Sequence, residues 1–412
     1  MSDVFIALDP QNYFNSFLYS YGGNLYQLIP HVDSGGNPVS IQMWKSTDGG
    51  TSWSALASTI SLATDFEDAS CSPCLLSTKL YLSFFASGFT IGLGYFDFTT
   101  DTFTSVTTTS SPSFALNRYL AGPDANHLFV VYATSNNVVV GEYVSNAFTS
   151  IGTKAAVLPY KFAQPQQIIY GASGVLHILY EATRQSSTIG PSELGYLNVS
   201  GGVIGGTIGS NIVYTNYSDS FLVPDTGTGL GPPIQVGTNI YASFYDPTAQ
   251  ALKLLKWTDV SSPTFTVTTI DPSWAITLGS ASTQPGTGSW SNVLGVYNGN
   301  LYCFYVNTWH NSSGVFTGDS TLYYRSSTDG GVTWSAITAI ITHNDPHDGT
   351  PFRIWYPQAL VFVGTAPSPV TTAELSYNQQ KANSISTNGP NGRFATPFPI
   401  PATSTSRNYV LS

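Results

Sequence analysis

Asn300-Leu301-Tyr302-Cys303-Phe304-Tyr305 follows a turn, opens on an aliphatic residue, and places another bulky residue three positions on. The same pattern recurs as Asn24-Leu25-Tyr26-Gln27-Leu28-Ile29, Lys79-Leu80-Tyr81-Leu82-Ser83-Phe84 and His127-Leu128-Phe129-Val130-Val131-Tyr132. Val175-Leu176-His177-Ile178-Leu179-Tyr180 and Asn239-Ile240-Tyr241-Ala242-Ser243-Phe244 complete the set. The aliphatic positions are separated by 55, 48, 48, 64 and 61 residues. Upstream of each copy lies an apolar stretch that ends in a turn. Downstream come a strand, a polar turn, and a short strand opening at Trp53, Phe103, Phe148, Ile204, Phe265 or Trp334. One such unit of four short strands cannot bury both its faces alone, but radially stacked units bury one another. The sequence therefore predicts an all-β fold, a six-bladed β-propeller of four-stranded antiparallel blades. Leu25, Leu80, Leu128, Leu176, Ile240 and Leu301 should be buried in the second strands. Six in-phase copies argue against a plain sandwich or two unrelated β-domains.

The two ends need separate treatment. Tyr356-Pro357-Gln358-Ala359-Leu360-Val361-Phe362 resembles an innermost strand such as Gln164-Pro165-Gln166-Gln167-Ile168-Ile169, and Asp3-Val4-Phe5-Ile6-Ala7-Leu8 reads as a strand before the first copy. These two segments either close the ring or form an incomplete seventh blade. The propeller is assigned to residues 1–365. Residues 366–412 read as an extended Pro/Ser/Thr-rich C-terminal segment, expected to dock outside the propeller on another subunit through Phe394, Phe398, Ile400 and Tyr409.

Composition narrows the function classes. Only 9% of the residues are charged, with a net charge of −10 and 13 Lys and Arg in 412 residues, against about 25% charged in an average soluble domain. There is no basic cluster, so no nucleic-acid footprint is visible. There is no run of 18 apolar residues, so no spanning helix is expected. A hydrophobic content of 42% can build a core, which argues against disorder. The opening stretch MSDVFIALDPQNYF lacks the parts of a signal peptide. Three cysteines, Cys71, Cys74 and Cys303, are too few for a disulfide framework and read as ordinary thiols.

Two turns between third and fourth strands stand out. They read Ser46-Thr47-Asp48-Gly49-Gly50-Thr51-Ser52-Trp53 and Ser327-Thr328-Asp329-Gly330-Gly331-Val332-Thr333-Trp334, 281 residues apart. The Asp can accept hydrogen bonds from the turn's own amides, the glycines can take positive φ, and the Trp can plug the hairpin. This pattern resembles the Asp-box, or bacterial neuraminidase repeat, of the sialidase-like propellers. Elsewhere the box reads as eroded, with only hairpin and aromatic kept from Asp97 to Phe103 and from Trp257 to Phe265.

The resemblance implies a structural role for Ser46, Asp48, Gly50, Trp53, Ser327, Asp329, Gly331 and Trp334, on the face opposite the sialidase active site. It also implies where a catalytic set would lie: an arginine triad, a Tyr–Glu nucleophile pair and an Asp acid/base. Asp33 stands where the family's Asp precedes the first box. The opening strand, Tyr13-Phe14-Asn15-Ser16-Phe17-Leu18, has no arginine where the family has its first. Arg353, in Phe352-Arg353-Ile354-Trp355, resembles that motif without its Pro. Glu181 with Arg184 could mimic a nucleophile and a clamp, whereas Arg325 reads as a solvated strand residue. No catalytic set is therefore expected, and the residues nearest to one are Asp33, Glu181, Arg184 and Arg353.

His343, Asp345, His347 and Asp348 form the densest group of potential ligands, but a polar turn explains them and no metal is expected. Aromatic residues crowd the loops of the other face, where sugar rings could stack; Trp274, Trp309, His310 and Trp355 are the candidate ligand-binding residues. Scarce Lys and Glu with abundant Ser, Thr, Asn, Gly and Tyr favour a non-enzymatic recognition or structural propeller on an extracellular particle, such as a phage virion or fibre. Its partners would be other protein subunits and glycans, without nucleic acid, membrane insertion or cofactor. The alternatives are a sialidase-like glycoside hydrolase or lyase and a generic cellular binding propeller.

Overall fold

A computed structural model of the chain describes residues 4–7, 17–32, 38–48, 52–61, 73–86, 90–110, 115–134, 137–145, 147–157, 159–160, 162–183, 189–220, 230–246, 249, 251–272, 292–297, 299–307, 321–342, 352–359, 373–381 and 392–398. All their regular structure is β, and every strand pairing is antiparallel. After β1 (Val4–Ala7), the first blade is β2 (Phe17–Tyr21), β3 (Asn24–Val32), β4 (Pro38–Ser46) and β5 (Ser54–Ser61). The second blade is β6 (Cys74–Leu76), β7 (Lys79–Ala86), β8 (Thr90–Asp97) and β9 (Thr102–Ser110). The third is β10 (Ala115–Asp124), β11 (His127–Thr134), β12 (Asn137–Val144) and β13 (Ala147–Ala155). The fourth has β14 (Phe162–Tyr170), β15 (Leu176–Thr183) and β16 (Ile189–Ser200), and its outer edge is split, because β17 (Val203–Gly205) and β18 (Ile212–Ser220) both pair with β16. The fifth is β19 (Ile234–Val236), β20 (Asn239–Asp246), β21 (Ala251–Thr258) and β22 (Phe265–Asp271). The sixth is β23 (Asn292–Tyr297), β24 (Asn300–Asn307), β25 (Thr321–Ser327) and β26 (Thr338–Thr342).

These are the six four-stranded blades that the repeats predict, and the six repeated aliphatic residues fall at the start of the second strand of each. Leu80, Leu128, Leu176, Ile240 and Leu301 are buried, and Leu25 is half-buried. The second strands read as near-continuous apolar runs because both their faces are covered. Successive side chains point to opposite faces of a strand. Phe129 and Val131 of blade three accordingly pack with Leu176, Ile178 and Tyr180 of blade four. Tyr26 and Leu28 pack with Leu80, Leu82 and Phe84 one blade on, and Tyr81 with Leu128 and Val130. The same alternation joins Leu179 to Ile240 and Ala242, and Tyr241 to Leu301 and Cys303. In β15 all eight residues are buried, Glu181 included. Fully burying one such aliphatic side chain contributes roughly 1.5–3 kcal/mol, so the seams between blades hold the ring.

The ends form a seventh four-stranded sheet in the order β27 (Phe352–Ala359), β28 (Ala373–Lys381), β29 (Gly392–Phe398) and β1. β27 is its innermost strand and lies against β23 and β24 on one side and β2 on the other. The N-terminal strand pairs Val4 with Ala395 and Phe5 with Phe394. The likeness between the Tyr-Pro-Gln and Gln-Pro-Gln segments extends to the register, which shifts between Trp355 and Gln358 in β27 and between Pro165 and Gln167 in β14. The expected boundary at residue 366 falls between β27 and β28, which pair in this sheet. Residues 373–381 and 392–398, read as part of an extended docking segment, are the second and third strands of this sheet. Dense proline hid them, yet Pro397 sits within β29 opposite Glu374. Ile400 and Tyr409 lie outside the described residues.

Candidate functional site

The turns between third and fourth strands share one face of the ring. In the first, the Asp48 carboxylate accepts hydrogen bonds from Ser46 Oγ (2.7 Å), Ser52 N (2.9 Å) and Ser52 Oγ (2.6 Å). The Ser52 hydroxyl and amide, with Ser46, hold its carboxyl down at about 2. Asp329 repeats the pattern with Ser327 Oγ (2.8 Å), Val332 N (3.0 Å), Thr333 N (2.9 Å) and Thr333 Oγ1 (2.6 Å), and Thr333 chiefly holds its carboxyl well below the usual carboxylate range. Gly331 has φ +88°, and a Cβ there would meet Leu254 Cδ2 at 2.1 Å, so both backbone and neighbour demand glycine. Trp53 and Trp334 are half-buried, not the full plugs expected, because each turn stands at the rim of the ring. Gly50 lies outside the described residues.

Strand register identifies a third member of this set. Leu25 pairs with Ser46 and Leu301 with Ser327, each two residues before the turn's Asp. Ile240 pairs with Trp257, and two residues on comes Asp259. Blade five therefore keeps the Asp that its sequence seemed to have lost. Asp259 does not bond its own turn through the side chain in the same way; it reaches back to blade four. It accepts from Ser173 N (2.8 Å), Ser173 Oγ (2.5 Å), His177 Nε2 (2.9 Å) and, within blade five, Gln235 Nε2 (2.8 Å). Burial alone would raise its carboxyl, but these donors prevail and hold it at about 2.

Other seams are closed by different chemistry. Between blades one and two, Asp101 accepts from Tyr26 Oη (3.0 Å) and Lys45 Nζ (2.5 Å), while Phe98 packs on Tyr19, Tyr21 and Tyr26. Between blades five and six, the buried Asp271 accepts from Tyr305 Oη (2.6 Å) and pairs with Arg325 Nη2 (3.3 Å), whose Nη1 also reaches Ser335 O (3.1 Å). Arg325 is thus a seam residue and not the solvated strand residue expected. Asp246 is met by the Tyr214 hydroxyl across the seam of blades four and five and by Ala249 N. Sequence reasoning missed Asp259, Asp271 and His177 as partners; the available signal was His177 at a position where five copies carry Tyr or Phe.

Of the candidate catalytic residues, Glu181 is the one whose side chain is described. It is fully buried near the end of β15, and its Oε2 accepts from Gln166 Nε2 (3.1 Å) and Gln164 Nε2 (3.4 Å) on the innermost strand β14. Tyr119 of blade three lies close enough that its phenol is pushed up first by burial and then by this carboxylate. Among the described residues this carboxylate is fully buried and bonded to two amides of the innermost strand. Arg353 and Trp355 lie on β27, beside blade one through β2, so ring closure brings that strand to the opening blade. Asp33, Arg184, Trp274, Trp309, His310, His343, Asp345, His347 and Asp348 lie outside the described residues. Among the described residues, no group of three or more His, Cys, Asp or Glu is placed to hold a metal, and no helix is long and apolar enough to cross a membrane.

No protein-family model and no curated protein matches the chain. Among solved structures, a protein of unknown function from Dyadobacter fermentans is similar with a TM-score of 0.48 at 12% identity, over 96% of this chain and 97% of that one. Polysaccharide lyase Uly1 gives 0.48 at 10% identity, over 93% and 89%. A Trypanosoma rangeli sialidase in complex with the inhibitor DANA gives 0.45 at 11%, over 95% of this chain and 55% of that one. At such identities and scores these likenesses carry nothing about activity.

Proposed function

We propose that this chain is a non-enzymatic recognition and structural propeller, a subunit of an extracellular particle such as a phage virion or fibre, with a glycan-binding face. The observation that carries this reading is the use made of its few ionisable side chains. Asp246, Asp259 and Asp271 are buried and join one blade to the next, and Glu181 is enclosed by two glutamine amides. The scarce charge is invested in a rigid ring. An acid/base pair facing a cleft would need carboxylates with different, open environments. The two Ser-x-Asp turns fit the structural Asp-boxes of sialidase-like propellers, in which the box does not imply catalysis. Trp274, Trp309, His310 and Trp355 are the residues proposed to stack on sugar rings, on the face away from the boxes.

Two measurements test this. Antibodies against the chain should decorate particles purified from the source in a regular arrangement under the electron microscope; undecorated particles would remove the virion assignment. The purified protein should release no fluorophore from a fluorogenic sialoside. Turnover that disappears in Asp33→Asn would establish the hydrolase alternative instead.

A further inference from the structure

The seam between blades four and five differs from the others described by having an imidazole at its centre. His177, on β15, is fully buried, with its side chain 0% exposed. Its Nε2 lies 2.9 Å from Asp259 Oδ1. Its Nδ1 lies 2.8 Å from Tyr196 Oη and 3.3 Å from Trp257 Nε1. An indole N–H can only donate. Nδ1 must therefore be an acceptor, which puts the proton on Nε2, where Asp259 accepts it. The surrounding atoms thus fix one neutral tautomer. A second proton, on Nδ1, would have to be donated to Tyr196 Oη, reversing that hydroxyl and leaving the Trp257 N–H without its acceptor in a fully buried site.

We propose that this seam is an acid-sensitive latch, closed while His177 is neutral and loosened when the imidazole takes up a second proton. The titratable groups facing His177 among the described residues are Asp259, from the turn after β21, and Tyr196, from β16. Ser173, Gln235 and Trp257 add uncharged donors, and Ile169 of β14 stands opposite His177 in register. Burial pushes the His177 imidazole below its ordinary value, and the hydrogen bond and charge of Asp259 offset only part of this. In the unfolded or locally opened chain the imidazole protonates near about 6.5. Between that pH and the lower value of the closed seam, the open form binds more protons, so stability falls as the pH drops. Asp259, held at about 2, stays ionised throughout this window and adds no slope of its own there.

The test is hydrogen exchange followed by mass spectrometry on the full chain at pH 7.5 and pH 5.5, corrected for intrinsic exchange. Peptides covering residues 169–177 and 235–259 should open more at the lower pH, by up to about tenfold, because pH 5.5 lies about one unit below the open-chain value. Peptides covering residues 26–45 and 95–103 are the internal control, because that seam is closed by Tyr26, Lys45 and Asp101. In Trp257→Phe the obstructing N–H is gone, so the pH-dependent part should shrink. A merely structural role would raise opening equally at both pH values. The latch is refuted if the seam opens no faster than the control, or if its pH ratio is unchanged in Trp257→Phe. An imidazole resonance of wild-type His177 titrating at about 6.5 would refute it independently of any variant.

Discussion

Deleting residues 366–412 is expected to abolish cooperative folding of the ring. The cut removes β28 and β29, two of the four strands of the seventh sheet. β1 pairs with β29, so the N-terminal strand would lose its partner. β27 would remain as a lone strand between blades six and one, with its ladder to β28 unmade. Unpaired backbone groups and apolar faces would open along both neighbouring blades, and each backbone group left buried without a partner costs about 1–3 kcal/mol. A folded domain has only about 5–15 kcal/mol to lose. The expected result is a broad, low thermal transition or insoluble protein. A soluble truncated chain with an unchanged melting temperature would mean that the seventh sheet contributes nothing to the ring.

Asp259→Ala is the point substitution with the largest expected effect, a loss of about 1–3 kcal/mol for each buried donor left without an acceptor. Four donors converge on its carboxylate, two of them from Ser173, and alanine offers them nothing. A Cβ built on Gly171 would stand 2.0 Å from Asp259 Oδ1, which measures how tightly the carboxylate is enclosed. His177 would keep an Nε2–H without an acceptor. Because the folded carboxyl sits at about 2, its contribution is present above the ordinary carboxylate value and is lost as the pH falls from there toward 2. Urea denaturation at pH 7 reads the difference, and a loss below about 1 kcal/mol would show that the seam does not depend on this group.

Six blades were legible because the second strand of each is covered on both sides. Such a strand is apolar at most positions, with few exceptions such as Gln27, Ser83 and His177, so it leaves a near-contiguous signal at each repeat. Of the seventh sheet, β27 and β1 were legible, but its two middle strands were not, because they contain Pro397 and polar runs such as Asn378-Gln379-Gln380-Lys381. The Asp48 and Asp329 turns were legible because their bonds are local. Asp259 has the same strand position, but its partners Ser173 and His177 are 86 and 82 residues away, beyond any local pattern. Arg325 misled for the same reason, since Asp271 is 54 residues upstream. Half-buried Trp53 and Trp334 were overrated because a sequence does not say which side of a turn has a neighbour.

The chemistry of these seams also gives the blades that share them an address. Repeated blades of similar shape could in principle dock in the wrong succession, or with a blade of another chain inserted. If blade six followed blade four, His177 would face Asp329, whose carboxylate is already taken by Ser327, Val332 and Thr333 of its own turn. If blade three followed blade one, Tyr26 and Lys45 would meet the turn at Ser145 in place of Asp101. Shape lets any two blades stack, whereas the charged and hydroxyl pairs between them specify who sits next to whom.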